Sequence, residues 1–77
     1  MPRYFFNVYN GTERHVDDVG EVLLGCREAW HEATISAGQS LRGLDGKLLL
    51  GSDWCMEVLD ESGHKLYSLH VSATVHE

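Results

Sequence analysis

The chain has no long hydrophobic run and few positive charges. Its apolar runs, such as Leu48 to Leu50, are far shorter than the roughly 20 residues that a membrane-spanning helix needs. It has 6 basic and 12 acidic side chains, with a net charge of −6. Because non-specific affinity for nucleic acids comes from Lys and Arg neutralising phosphates, this balance disfavours nucleic-acid binding. The sequence therefore predicts neither a membrane protein nor a nucleic-acid partner.

Cysteine is also scarce, and a recognisable export signal is lacking. The opening Met1 to Phe6 has neither the apolar stretch nor the small-residue cleavage site that secretion requires. The two cysteines, Cys26 and Cys55, are therefore expected to be reduced thiols of a cytoplasmic protein, with no disulfide between them.

The length of 77 residues predicts one small domain over the whole range 1–77. A domain of this size leaves roughly 40% of its unfolded-chain surface exposed, so most large apolar side chains are needed in the core or in a partner interface. Few remain to line a deep pocket.

The N-terminal segment predicts a strand over 4–9, because its side chains alternate with a period of two. Tyr4, Phe6 and Val8 would share one face, and the opposite face would carry Phe5, Asn7 and Tyr9. The turn pair Asn10-Gly11 then favours an antiparallel return as a short strand over 12–16. The stretch Asp17 to Gly20 is expected to end it.

A single amphipathic helix is predicted over 26–41. Apolar or small residues recur there at three- and four-residue spacing, namely Cys26, Ala29, Trp30, Ala33, Ala37 and Leu41. Gly25 is the expected N-cap, Glu28 suits the first turn, and Gly43 is expected to end the helix as a left-handed C′ residue.

The C-terminal half predicts a hairpin over 54–71, with Asp60 to Gly63 as its turn and a tail over 72–77. A four-residue loop would place Met56 and Val58 on the face of Tyr67 and Leu69. A three-residue loop with a glycine bulge would instead bring Leu66 and Ser68 to that face. We favour the first arrangement because it gives the better apolar stripe, and the second stays open.

These elements predict an α+β domain, with one helix packed on one face of a three- to four-stranded antiparallel sheet in the order β-β-α-β-β. The apolar loop over 42–53 must dock its leucines at the end of the core or against a second chain. The opposite face of the sheet would retain Phe5 and Tyr9 for solvent or a partner.

Several motifs, taken together, resemble a family of short bacterial proteins known only as a domain of unknown function. They occur in that family's order as Met1 to Phe6, Val8, Gly11, Asp18 to Leu24, Ala29, Glu32, Ala33, Glu57-Val58, Asp60-Glu61 and Gly63. The resemblance covers most of the chain and implies a compact cytoplasmic domain with no established activity. Two residues depart from the pattern: Gly25 replaces a polar helix cap, and Trp30 replaces a charged residue.

A looser likeness is to HicB-type antitoxin domains, which also begin with a strand and have a helix after a glycine-cysteine pair, here Gly25-Cys26. This likeness ends after the helix. It implies a toxin partner and transfers no toxin-contact residue.

Cys26 is the sharpest candidate for chemistry, because the free N–H groups of a first helical turn stabilise a thiolate. His31 cannot serve as its base from the same face, since five residues turn the helix by about 140°. A buried structural role for Cys26 is the better interpretation. The five histidines show no metal-ligand spacing. No catalytic, metal or cofactor-binding residue is therefore predicted.

The preferred hypothesis is a non-catalytic interaction domain that associates with itself or with another protein, through a sheet edge or the leucine loop. Its candidate interface residues are Trp30, Leu48, Leu49, Leu50, Phe5 and Tyr9. The alternatives are a HicB-like regulatory domain and a small thiol-dependent enzyme centred on Cys26.

Overall fold

The computed structural model describes residues 1–11, 13–44 and 53–76. These residues form strands β1 (Arg3–Tyr9), β2 (Arg14–His15) and β3 (Glu21–Val22), helix α1 (Cys26–Gly43), and strands β4 (Asp53–Leu59) and β5 (Lys65–Ser72). The strands form one antiparallel sheet in the order β2-β1-β4-β5, and β3 also pairs with β1. The predicted α+β class is confirmed.

The core lies between the helix and the inward face of the two central strands. From β4 it takes Trp54, Met56 and Val58, and each is almost completely buried. The helix contributes only alanines to the core, at Ala29, Ala33 and Ala37. Alanine has no side chain beyond Cβ, so the helix backbone can approach the sheet closely. Burial of each large side chain of β4 contributes about 1.5–3 kcal/mol.

The helix begins where the sequence predicts, but it ends differently. Gly25 is its N-cap and is extended, and its carbonyl accepts the Ala29 N–H at 3.0 Å. At the other end Gly43 is the last helical residue, followed by Leu44 in the right-handed region. The expectation of a left-handed C′ glycine at Gly43 is therefore wrong. The Leu44 N–H donates to the Leu41 carbonyl at 3.2 Å, and this bond closes the final turn without a left-handed residue.

The segment after β1 differs from the predicted short strand over 12–16. Of the described residues 13–16, only Arg14–His15 pairs with β1, and a further strand at Glu21–Val22, which the sequence pattern did not indicate, pairs with the beginning of β1. Between them the chain turns at Gly20, whose φ is +75°. A Cβ at Gly20 would lie 2.9 Å from the Tyr4 carbonyl oxygen, so the turn fits tightly against β1.

The hairpin of β4 and β5 has the preferred faces, with Met56 opposite Leu69 and Val58 opposite Tyr67. The loop is five residues long, from Asp60 to His64, and not four. Leu66 is the extra residue of a β-bulge, because Leu59 pairs with Lys65 while Val58 pairs with Tyr67. The faces are therefore those of the preferred arrangement. A bulge was part of the other alternative, but the bulged residue is Leu66 and not a glycine. The predicted apolar loop over 42–53 lies mostly outside the described residues.

Candidate functional site

The outer edge of β1 is closed by the segment 14–22. Beyond the two short ladders, the Phe6 N–H donates to Asp17 Oδ2 at 3.1 Å. The Asp17 N–H donates in turn to Asn7 Oδ1 at 2.9 Å. Backbone groups that a free strand edge would offer to another chain are therefore satisfied within this one.

Asp17 holds this closure together. Its second oxygen, Oδ1, accepts the N–H groups of Val19 at 3.1 Å and Gly20 at 2.9 Å. Partial burial raises the pKa of the carboxyl, but the bonds from Gly20, Phe6 and Val19, with the nearby Arg3 charge, outweigh that effect. The pKa of Asp17 therefore lies below its ordinary value.

The opposite edge of the sheet is open. Within residues 1–11, 13–44 and 53–76, no strand pairs with the outer side of β5. The outward groups of β5 follow from alternation along each ladder. The Phe6 N–H donates to Asp17 and therefore points away from β4. Val58, the partner of Phe6 on β4, then directs its N–H and C=O groups toward Tyr67 of β5. The alternate residues of β5 then direct their N–H and C=O groups outward, and these are Ser68, His70 and Ser72.

An aromatic pair flanks the open edge on the helix side. The rings of Trp30 and Tyr67 lie 5.1 Å apart at an interplanar angle of 52°. The Tyr67 hydroxyl donates to the Cys26 carbonyl at 3.1 Å, which ties β5 to the first turn of the helix. Trp30 is 43% exposed. A large apolar surface therefore lies beside unpaired backbone groups.

The charge around β5 differs from that of the rest of the chain. No Asp or Glu occurs between Ser62 and His76, although the chain has 12. On the neighbouring strand the Glu57 carboxylate is bridged by Lys65 and lies 3.6 Å from Arg14. The hydrogen bond from Lys65 is the main reason that the pKa of Glu57 is lowered. The strand that forms the open edge therefore carries no negatively charged side chain.

The predicted interface residues are dispersed. Phe5 and Tyr9 lie on the sheet face away from the helix, where Phe5 is half-buried opposite Leu59 and Tyr9 is 44% exposed. Trp30 lies on the helix flank beside β5. The structure therefore does not unite these three in one patch. Leu48, Leu49 and Leu50 lie outside the described residues.

Cys26 is exposed, so the expectation of a buried structural cysteine is wrong. It borders a cleft of about 270 Å³ between the start of the helix and the hairpin loop. Its Sγ lies 4.0 Å from the hydroxyl of Tyr4, a buried side chain. Burial, followed by the contact with Cys26, raises the pKa of this phenol. No histidine lines the cleft, so the described residues place no imidazole base beside the thiol.

The structure adds little support for a metal site or a membrane-spanning segment. In the described part of the chain, no group of three or more His, Cys, Asp or Glu side chains is arranged to hold a metal ion. Among the same residues no helix has the length and hydrophobicity to cross a membrane. A further cleft, of about 380 Å³, is open to solvent at the end of the core between Val8, Ser40 and Trp54.

The sequence predicts a sheet edge as one surface for association, but it does not indicate that the edge is that of β5. Which edge stays open depends on the path of the segment 14–22. The Asp17 to Gly20 turn signal was present in the sequence, but it was interpreted only as the end of a strand.

Together these features define a small α+β domain with one closed and one open sheet edge. The family model for the domain of unknown function DUF6894 matches residues 3–72, and the chain belongs to that family. The expected membership of an uncharacterised family is confirmed. No curated protein and no solved structure matches the chain. The matched region begins with the first residue of β1 and ends with the last residue of β5.

Proposed function

We propose that this protein is a non-catalytic self-association domain of the cytoplasm, in which two copies join through the open edge of β5. The observation that carries the proposal is the contrast between the two sheet edges. Asp17 and its neighbours close the edge of β1, whereas Ser68 and His70 of β5 leave backbone groups directed outward. An added antiparallel strand satisfies such groups and extends the sheet.

Trp30 supports the same edge. When two strands pair, their backbone groups replace hydrogen bonds to water with hydrogen bonds to each other, so the net gain in binding free energy is small. A stable strand pairing therefore needs apolar burial as well. The exposed flank of Trp30 and its contact with Tyr67 supply that surface beside the strand. Buried Trp and Tyr side chains dominate the energy of many protein interfaces.

Charge does not oppose a second copy of this chain as the partner at this edge. Two chains that each carry a net charge of −6 repel one another over most orientations. The segment from Ser62 to His76 contains no carboxylate, so pairing through β5 keeps the acidic groups of both copies away from the contact.

The test is the solution mass by light scattering over protein concentrations from the low micromolar to the millimolar range. We expect a monomer–dimer equilibrium that weakens at least about fivefold in Trp30→Ala, since truncating a central aromatic anchor costs more than about 1 kcal/mol. Ile35→Ala is the matched control. Ile35 has the same exposed fraction of 43% on the same helix but lies ~140° around it.

Three results are informative. A chain that stays monomeric at millimolar concentration overturns the proposal. A dimer that Trp30→Ala and Ile35→Ala weaken equally shows that the contact is not at β5. Circular dichroism of each variant establishes that the helix and sheet persist, because Trp30 also contacts Tyr67 within the fold.

The exposure of Cys26 favours a second candidate, thiol-dependent chemistry in the cleft beside Tyr4. It ranks below self-association because the lining residues lack an imidazole base. The rate of Cys26 alkylation as a function of pH tests it. A thiol that reacts with the pH profile of free cysteine eliminates this candidate.

A further inference from the structure

The geometry points to one arrangement of the pair: we infer that the β5 strands of two copies run antiparallel about a two-fold axis at Leu69, with Ser68 opposite His70 of the second copy. This inference rests on the proposed self-association. It adds the register of the contact, which fixes the side chains that meet.

The bulge limits the part of β5 that can pair. Leu66 is the extra residue, so the regular spacing of the strand begins at Tyr67 and ends at Ser72. A bulge and the adjacent Lys65 are features that protect strand edges from further pairing. A second strand therefore has a regular edge only between Tyr67 and Ser72.

The alternation of backbone groups then restricts the register. Outward N–H and C=O groups belong to Ser68, His70 and Ser72, and in an antiparallel pair they must face outward groups of the second strand. A two-fold axis that lies within the regular part and keeps this match passes through Ser68, Leu69, His70 or Val71. An axis at Val71 centres the contact near the end of the strand and pairs Ser72 with His70.

Side chains favour Leu69 among these positions. With the axis there, Tyr67 lies opposite Val71 of the second copy, and this aromatic and β-branched pair occurs twice on the helix side. The two Leu69 side chains meet between them. Ser68 and His70 exchange both backbone hydrogen bonds, which gives about four bonds across the contact.

The neighbouring axes are less favourable. An axis at His70 opposes two imidazoles and leaves Tyr67 opposite Ala73, a residue beyond the strand. An axis at Ser68 places the bulged Leu66 opposite His70, where the ladder is irregular. The Leu69 axis also keeps Trp30 of each copy beside the contact, through its packing on Tyr67.

The experiment uses disulfide cross-linking between single-cysteine variants of the full chain. Both native cysteines are first replaced by Cys26→Ser and Cys55→Ser. This is essential because Cys55 lies directly opposite His70 within the hairpin and would capture a cysteine placed there. Ser68→Cys and His70→Cys are then oxidised separately and as an equimolar mixture, at a concentration where light scattering shows the dimer.

The Leu69 register predicts a cross-link mainly in the mixture. Opposed Cα atoms of a hydrogen-bonded pair are about 5.5 Å apart, within the range that a disulfide bridges. Two identical positions, either Ser68 with Ser68 or His70 with His70, would be displaced by two residues and lie about 9 Å apart. We expect the mixed dimer to exceed either homodimer link several-fold.

Other outcomes separate the two levels of the proposal. A dominant His70→Cys homodimer link places the axis at His70, and a dominant Ser68→Cys homodimer link places it at Ser68. Either result overturns the Leu69 register while leaving β5 pairing intact. A dimer that forms no link at all also overturns the Leu69 register, because an axis at Val71 or a contact away from β5 keeps both positions apart. A monomer at every concentration overturns self-association itself.

Discussion

Replacing Asp17 by alanine should destabilise the fold more than its position in a surface loop suggests. Its carboxylate accepts three backbone N–H groups, from Phe6, Val19 and Gly20. A hydrogen bond to a charged group contributes about 1.5–3 kcal/mol. Water can replace the carboxylate at the exposed Val19, and the two remaining bonds give a combined loss of about 3 kcal/mol or more. A domain of this length has roughly 4–12 kcal/mol of stability in total.

Two variants separate the hydrogen bonds from the charge. Asp18→Ala removes the same charge one residue away, from an exposed side chain, and should change stability by less than about 0.5 kcal/mol. Asp17→Asn keeps one acceptor but turns an amide N–H toward the Phe6 N–H, so we expect about half of the alanine effect. Urea unfolding followed by circular dichroism measures the free energy of unfolding of the three variants. We expect their m-values to equal that of the wild type.

The pH dependence provides a further test of the same bonds. Because the pKa of Asp17 is lower in the folded state, its contribution is present above the ordinary value of 3.8 and is lost as pH falls through the folded value. The stability difference between wild type and Asp17→Ala should therefore be constant near neutral pH and shrink in acid. An alanine variant no less stable than Asp18→Ala, or a difference that persists in acid, refutes the reasoning.

Two more predictions concern glycine and cysteine. Gly20→Ala forces an alanine to φ +75° with its Cβ 2.9 Å from the Tyr4 carbonyl oxygen, and should cost at least about 2 kcal/mol. Gly38→Ala, in the helix with open space around it, should instead stabilise by about 0.5–1 kcal/mol, and thermal melts compare the two. Burial raises the pKa of Cys55 above its ordinary 9.0, so its contribution is lost as pH rises through the folded value. When urea unfolding is measured at increasing alkaline pH, the free energy of unfolding should fall less in Cys55→Ala than in wild type. An equal decrease in the two proteins would contradict this.

Strand and helix faces could be predicted from the sequence because they depend on local periodicity. The alternation of Tyr4, Phe6 and Val8 predicts the inward face of β1, and the buried alanines follow the helical repeat. These patterns need no knowledge of the rest of the chain. Where one face of a strand or helix packs against the core, the spacing of its apolar residues is enough to predict that face.

The remainder depended on tertiary placement. Cys26 follows the apolar repeat, but it lies at the start of the helix and borders an open cleft, so it is exposed. Strand β3 has only two residues, and its pairing depends on the turn that Asp17 and Gly20 form against β1. Neither effect produces a periodic signal. The loop length at the hairpin was likewise set by the bulge at Leu66.

The described residues protect the two edges of the sheet to different extents. The chain uses residues 14–22 and the Asp17 carboxylate to close the edge of β1, a strand that is already paired with β4 on its other side. Among residues 1–11, 13–44 and 53–76, the protection of β5 stops at the bulge, although an unprotected strand edge invites uncontrolled pairing. A specific partner at Tyr67 to Ser72 removes that hazard, because the edge is then occupied. If two copies pair at β5, the dimer stabilises the folded chain by mass action, so the midpoint of urea unfolding should rise with protein concentration, and Trp30→Ala should shift that rise to higher concentrations.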